Sequence, residues 1–297
     1  MERQWMCETF LAADKIINRE DDANMKMEEI DKNSSYYGFC PNKKCLTNVQ
    51  RIGVMTTYVF LKVKAEKNNE HGEYFLMWLS DKLFKMHKED KIEGENNRIT
   101  LDEAYKKYLD KDIGDYKYWN LLGKASGLKN ANLRHMNEFY KLLKHICKTI
   151  MHHKIKPTEY TSHLQNSTNS SNQYMLLYQN FSKCDSYLHL LDNLKKTYEK
   201  FRSTIKNGDP NLESSLQTLT TIENTDSYFV EGFSTFDFSN SKCQSEYDDS
   251  ILEKSKKTEA RTKQKDNGAD TLESKDKVVD GSQSKENAKG SEHTDPG

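Results

Sequence analysis

Six cysteines are the residues of this 297-residue chain best suited to chemistry, and they stand at positions 7, 40, 45, 147, 184 and 243. Cys40 and Cys45, in "YYGFCPNKKC" at 36–45, form a C-x4-C pair. Thiolates at that spacing can be half of a zinc site, and in an oxidising compartment the same residues can join a disulfide framework. The zinc reading needs a second ligand pair. The next histidines, His71 and His87, stand sixteen residues apart, not at the short return spacing of a zinc motif. A redox C-x-x-C motif is excluded by the longer spacing. Cys147 and Cys184 each lie on the apolar stripe of a predicted helix, so they can face each other across the core as a disulfide or as two buried free thiols.

Other chemistry is sparse. His152 and His153 end a predicted helix beside Lys154 and Lys156, where cationic and polar groups suit exposed carbonyls and the helix dipole. Tyr74, Phe75 and Trp78 follow helical periodicity and read as core packing, not as a base-stacking platform. The chain contains no glycine-rich phosphate loop, no G-x-S-x-G elbow and no H-E-x-x-H pair. Its acidic residues scatter over polar helix faces, which are solvated by default. No catalytic residue, metal site or cofactor is expected. Four N-x-S/T sequons, at Asn33, Asn166, Asn169 and Asn180, arise readily in an asparagine- and serine-rich chain and matter only in a secretory host.

The elements that would position these residues are helices. Residues 2–19 place Trp5, Met6, Thr9, Phe10, Ala13, Ile16 and Ile17 on one face at three- and four-residue steps. A polar stretch over 18–38 holds a possible short helix at 25–30. Thr47 is suited to cap a helix carrying Val49, Ile52, Met55, Val59, Phe60 and Val63. The next stripe carries Phe75, Trp78, Leu79, Leu83 and Met86. Thr100 with Glu103 makes a capping-box signature, and a further helix is predicted over 116–125. Two long amphipathic helices follow. One runs over 133–151 with Phe139, Leu143 and Cys147 on its stripe; the other runs from 174 to 205 with Phe181, Cys184, Leu188 and Leu191. Pro157 and the tract "NSTNSSNQ" mark a loop between them, and Asn207, Gly208 and Pro210 close the second. A short helix is predicted over 212–222.

Composition bounds the rest. Hydrophobic residues make up 35% and charged residues 31%, with 4 prolines and 13 glycines, which leaves most of the chain free to be helical. A net charge of −1 provides no general pull toward nucleic acid or an anionic membrane. No run approaches the roughly 18 apolar residues of a membrane span, and the charged N-terminus lacks the apolar core of a secretory signal. Beyond Tyr247 there are no aromatics, and Lys, Glu, Asp, Ser and Gly dominate. Such a segment buries too little apolar surface to offset its ordering entropy. The expectation is a single all-α, multi-helix domain over 2–235, followed by a disordered hydrophilic tail or stalk over 250–297. Its core would include Trp78, Leu79, Leu83, Phe139, Leu143, Phe181, Leu188 and Leu191.

Three stretches in register give a resemblance. "EYFLMWLSDKLFK" at 73–85 lies between the cysteine loop and "LRHMNEFYKLLKHICKTI" at 133–150. Together they resemble the Plasmodium interspersed repeat (PIR) multigene family, the variant antigens of malaria parasites. The pattern is an early cysteine (Cys7), a Y-x-x-x-C-P loop with a second close cysteine (Tyr36, Cys40, Pro41, Cys45) and an M-W-L-S-x-K-L helix (Met77, Trp78, Leu79, Ser80, Lys82, Leu83). It closes on F-Y-x-L-x-K-x-x-C (Phe139, Tyr140, Leu142, Lys144, Cys147). It spans roughly residues 5–205 in order and spacing.

The resemblance implies a helical, host-exposed domain exported without an ordinary signal peptide, then a hydrophilic segment, a transmembrane helix and a short basic tail. The sequence ends at Gly297 within the hydrophilic segment, so membrane attachment is expected only through a helix absent from this chain. The implied function is antigenic variation: a stapled core presents variable loops, at 18–38, 88–99 and 154–172, for host-receptor binding or immune evasion. The partner would be a host cell-surface protein or an antibody. An oxidising setting also favours the disulfide reading of Cys40 and Cys45 over zinc. Cys7 is then expected to bond Cys40 or Cys45, tying the first helix to the second, with a local Cys40–Cys45 bridge as the alternative. The competing function is an intracellular helical scaffold with free thiols and a partner-binding tail. A thiol count separates the two.

Overall fold

Helix caps written in the sequence set most of the element boundaries. The computed structural model describes residues 2–18, 34–90, 98–109, 118–206, 208, 210–248 and 250, all within one compact unit, Met1–Ser255. Its α-helices are α1 (Glu2–Asn18), α2 (Ser34–Tyr37), α3 (Asn48–Lys62), α4 (Asn69–Glu89), α5 (Leu101–Tyr108), α6 (Leu133–Ile155), α7 (Tyr160–Phe181), α8 (Asp185–Lys206) and α9 (Pro210–Ser215). Thr47 and Thr100 each close a full capping box, with Gln50 and Glu103, and Asn68 and Asn132 cap α4 and α6 through their side chains. Each satisfies helix-end N–H groups that would otherwise lack partners. The fold is all-α: among the described residues the extended pairing is a lone antiparallel bridge between Thr100 and Asn132. That bridge fastens the start of α5 to the start of α6 through two backbone bonds of 3.0 and 2.9 Å.

The central pair is α4 and α6, and α6 also meets α1, α7 and α8. The stripes explain why. On α4, Tyr74, Phe75, Trp78, Leu79 and Leu83 are buried; on α6, Phe139, Leu142, Leu143, Ile146 and Cys147 are. Phe181 and Leu191 lie in the same interior, and Leu188 is buried outside that connected cluster. Burial of this kind, at about 25 cal/mol per Å² of apolar surface, is what orders helices that are marginal alone.

Several sequence expectations are corrected. The single helix over 174–205 is two. α7 ends at Phe181, the chain turns through Ser182 and Lys183, and α8 starts at Asp185. Apolar residues keep helical spacing through the turn, so periodicity could not show the break. The tract "NSTNSSNQ" is not a loop but the middle of α7. Its inward positions, His163, Ser167, Ser170, Tyr174, Leu177 and Phe181, recur at three- and four-residue steps and are buried. Small serines allow close approach there, and their hydroxyls return to the helix itself, Ser167 to the Leu164 carbonyl and Ser170 to that of Asn166. The loop expected at 154–172 therefore shrinks to the turn before Tyr160. The helix expected over 116–125 is a pair of 3-10 segments, Tyr118–Leu121 and Gly123–Asn130. Of 212–222, only the part before Leu216 is helical, in α9. The possible helix at 25–30 and nearly all of the expected tail lie outside the described residues, as do parts of the expected loops at 18–38 and 88–99.

Beyond α9 the chain continues as an extended strap over residues 216–248, past the expected boundary at 235. It pairs with no strand among the described residues, so beyond its own turns, among them the 3-10 segment Ser241–Cys243, helix side chains satisfy its backbone. Asp192 accepts from the N–H groups of Phe229 (2.9 Å) and Val230 (2.9 Å). Ser186 bonds both the N–H and the carbonyl of Asp237, and Asn180 does the same for Asp248. The Tyr198 hydroxyl donates to the Gln217 carbonyl at 2.7 Å. Aromatics press the strap down: Phe229 stacks on Tyr178, Phe233 on His189, and Phe238 packs on Tyr187.

Candidate functional site

All six cysteines are bridged, and the bridges decide which faces of the molecule are held. Cys40 bonds Cys45, Cys7 bonds Cys147, and Cys184 bonds Cys243. The expected bond from Cys7 to the Cys40–Cys45 segment is thus overturned. Cys7 shares the buried face of α1 with Met6, Phe10 and Ala13, and that face lies on α6, bringing the Cα of Cys147 to 4.9 Å. Closeness along the chain was the wrong guide. Cys147 and Cys184 do not meet either, because Cys184 sits in the turn before α8 and reaches the strap at Cys243. The zinc alternative for Cys40 falls with the local bridge.

Sequence reasoning missed a charged cluster in the core. Asp14 of α1, 1% exposed, accepts from Trp78 Nε1 at 3.1 Å, the Tyr140 hydroxyl at 2.8 Å and Lys144 at 3.1 Å, and it is paired with Lys82. Lys82, also 1% exposed, reaches Asp81 at 2.7 Å and lies over the rings of Trp78 and Tyr140. Burial works to raise the Asp14 carboxyl, but the Lys82 and Lys144 ammoniums together hold it below the ordinary carboxylate range. A signal was present: Asp14 follows Phe10 by four residues and Lys82 follows Trp78 by four, so two opposite charges interrupt two apolar stripes. The cluster is enclosed, which makes it a structural tie between α1, α4 and α6.

His152 lies 2.8 Å from Glu159, out of line for a hydrogen bond, and across the turn from His163. This agrees with a helix-end role. No group of three or more metal-ligating side chains comes together among the described residues.

A cleft of about 530 Å³ opens where the strap crosses the N-terminal end of α6. Arg98, Asn130 and Arg134 line it from the helical side, and Phe238, Gln244 and Tyr247 from the strap. His135 and Tyr187 form its floor, and the Cys184–Cys243 bridge anchors its strap wall. The Arg134 guanidinium sits 5.6 Å above the Tyr247 ring. Arg98 pairs with Glu246 at 3.2 Å, both well exposed. Tyr187 accepts from the Asn132 N–H (3.3 Å) and lies 3.0 Å from His135 Nδ1. Burial, aided by Arg134, lowers the His135 imidazole to about 4. Apart from the two cysteines, none of these residues stood out in the sequence, because the cleft is assembled from four distant segments.

A protein-family model described as Plasmodium variant antigen protein Cir/Yir/Bir matches residues 7–275. No curated protein and no solved structure shows a significant match to the chain. No described helix is long and apolar enough to cross a membrane.

Proposed function

This chain belongs to the Plasmodium variant antigen (Cir/Yir/Bir, or PIR) family, and from that membership we propose that it acts by binding, not catalysis, as a displayed antigen of the infected host cell. It would be exported, held at the cell surface or a host membrane, and met there by a host cell-surface protein or by antibody. The observation that carries this reading is the complete pairing of the cysteines, which suits an oxidising compartment and leaves no thiol for the intracellular scaffold alternative. Both outer parts of the fold are held covalently, α1 to α6 through Cys7–Cys147 and the strap to the turn between α7 and α8 through Cys184–Cys243. A core fixed in this way can carry sequence change on the turns at 38–47 and 156–159 and on the outward side of the strap without losing its helices.

Two measurements test the reading. Antibodies against the oxidised domain should label intact infected cells, and the purified domain should bind at least one member of a panel of host cell-surface proteins. Labelling only after permeabilisation, with six titratable thiols in protein taken from the parasite, would establish the intracellular scaffold instead.

A further inference from the structure

We propose that the cleft between the strap and the N-terminal end of α6 binds an acidic saccharide, one or two sugar rings bearing a carboxylate or sulfate. This goes beyond display of variable loops and does not depend on it.

The lining is built to donate hydrogen bonds. His135, only 4% exposed, is the decisive residue. Tyr187 is fully buried, its oxygen receives the Asn132 N–H, and among the described residues the acceptor for its hydroxyl proton is His135 Nδ1. That chain fixes the imidazole tautomer with its proton on Nε2. Nε2 has no hydrogen-bond partner among the described residues, and His135 lines the cleft, so its N–H is left available to a ligand there. Arg98 and Arg134 add two guanidiniums, whose planar forks match carboxylate and sulfate oxygens. The first turn of α6, a 23-residue helix, adds the positive end of its dipole.

The single acid of the lining, Glu246, is 82% exposed and bound to Arg98, which is 59% exposed. An exposed pair of this kind is weak, so a ligand anion can take over Arg98 at little cost. The volume of about 530 Å³ suits one or two sugar rings. Phe238 and Tyr247 offer apolar surface to ring C–H groups, while Asn130, Gln244 and Ser245 suit hydroxyls. An acidic peptide fits less well. Peptides dock on sheet edges or in apolar helix grooves, and among the described residues the extended pairing beside the cleft is the lone Thr100–Asn132 bridge.

Calorimetric titration of the oxidised full chain tests this, using a glucuronate-containing disaccharide, a sulfated disaccharide, lactose as neutral control and an acidic tetrapeptide. At least one acidic disaccharide should bind at about millimolar concentration or tighter, and lactose at least about tenfold more weakly. Arg134→Gln should weaken binding by about tenfold, and Glu246→Gln should strengthen it about two- to threefold. If Arg134→Gln does not fold, exposed Arg98→Gln takes its place with the same expected loss. Equal binding of lactose, insensitivity to the arginine changes, binding of the peptide alone, or no binding at all would each overturn the proposal.

Discussion

Removing the Asp14 carboxylate should be among the most damaging single changes outside the disulfides. Asp14→Ala leaves Trp78 Nε1 and the Tyr140 hydroxyl without their acceptor in a dry interior, each costing about 1–3 kcal/mol. It also takes from the buried Lys82 one of its carboxylate partners, Asp81 at 2.7 Å staying in place, while Lys144, nearer the surface, can turn to water. Breaking a buried ion pair from one side costs about 3–5 kcal/mol. These losses share partners and do not add, so the expected destabilisation is about 4 kcal/mol. Replacing the pair together, Asp14→Leu with Lys82→Met, removes both charges and restores apolar volume, so the double variant should recover about 2 kcal/mol of that loss. Urea unfolding under oxidising conditions, followed by circular dichroism, reads both numbers. A cost below about 1 kcal/mol for Asp14→Ala, or a double variant no more stable than the single, would show that the cluster is not the tie between α1, α4 and α6 described above.

Three further outcomes are expected. Loop-closure entropy ranks the bridges by span: replacing Cys7 and Cys147 by alanine, 140 residues apart, should cost about 5 kcal/mol, Cys184 and Cys243, 59 apart, about 4, and Cys40 and Cys45, 5 apart, about 2; a local bridge that mattered most in thermal melts would contradict this order. His135 and His145 are both lowered by burial to about 4, so between that value and the ordinary 6.5 the unfolded chain binds more protons; stability should fall as pH drops from 6.5 toward 4, by up to about 1.4 kcal/mol per histidine per pH unit, and a flat denaturation midpoint across that window would refute it. Below the ordinary carboxylate range Asp14 should add a second loss as it protonates, because its folded carboxyl is the stronger acid. Gly127→Ala would put a Cβ 2.9 Å from that of Phe236, so the strap must shift; about 1–3 kcal/mol of destabilisation and faster proteolysis near residue 236 are expected, whereas unchanged cleavage would mean that the strap does not rest on Gly127.

The helical stripes around Trp78 and Phe139 and the caps at Thr47 and Thr100 were legible because each is a local pattern of period 3.6 or a fixed short spacing. The all-α class followed from them. The helical middle of α7 was hidden because its inward residues are serines, whose burial depends on how closely another segment approaches. The turn between Phe181 and Asp185 was hidden for the opposite reason, since apolar spacing continued through it. The partner of Cys7 was not legible at all. Which helix lies against the face of α1 is a tertiary fact, and α6 is far along the chain. The cleft had the same fate: Arg98, His135 and Tyr247 come together only after three segments have packed.

The strap shows how a variant antigen can separate what must stay from what can change. Its backbone is tied to the helices by Asn180, Ser186, Asp192 and Tyr198, all on α7 and α8, while its own residues close local turns at 221–225 and 240–244. Hydrogen bonds to a backbone are indifferent to the side chain that backbone carries. In the segment 235–239 the side chains alternate, Phe236 and Phe238 turned in and Thr235, Asp237 and Ser239 turned out, as extended geometry requires. Substitution at an outward position such as Thr235 therefore costs little beyond local solvation, whereas loss of Asp192 strands two backbone N–H groups. The constraint falls on polar residues of the helices, and the freedom on the segment they hold. Because that same segment forms one wall of the cleft, change at Gln244, Ser245 or Glu246 can alter what the cleft accepts while His135, Tyr187 and the Cys184–Cys243 bridge keep its floor and anchor in place.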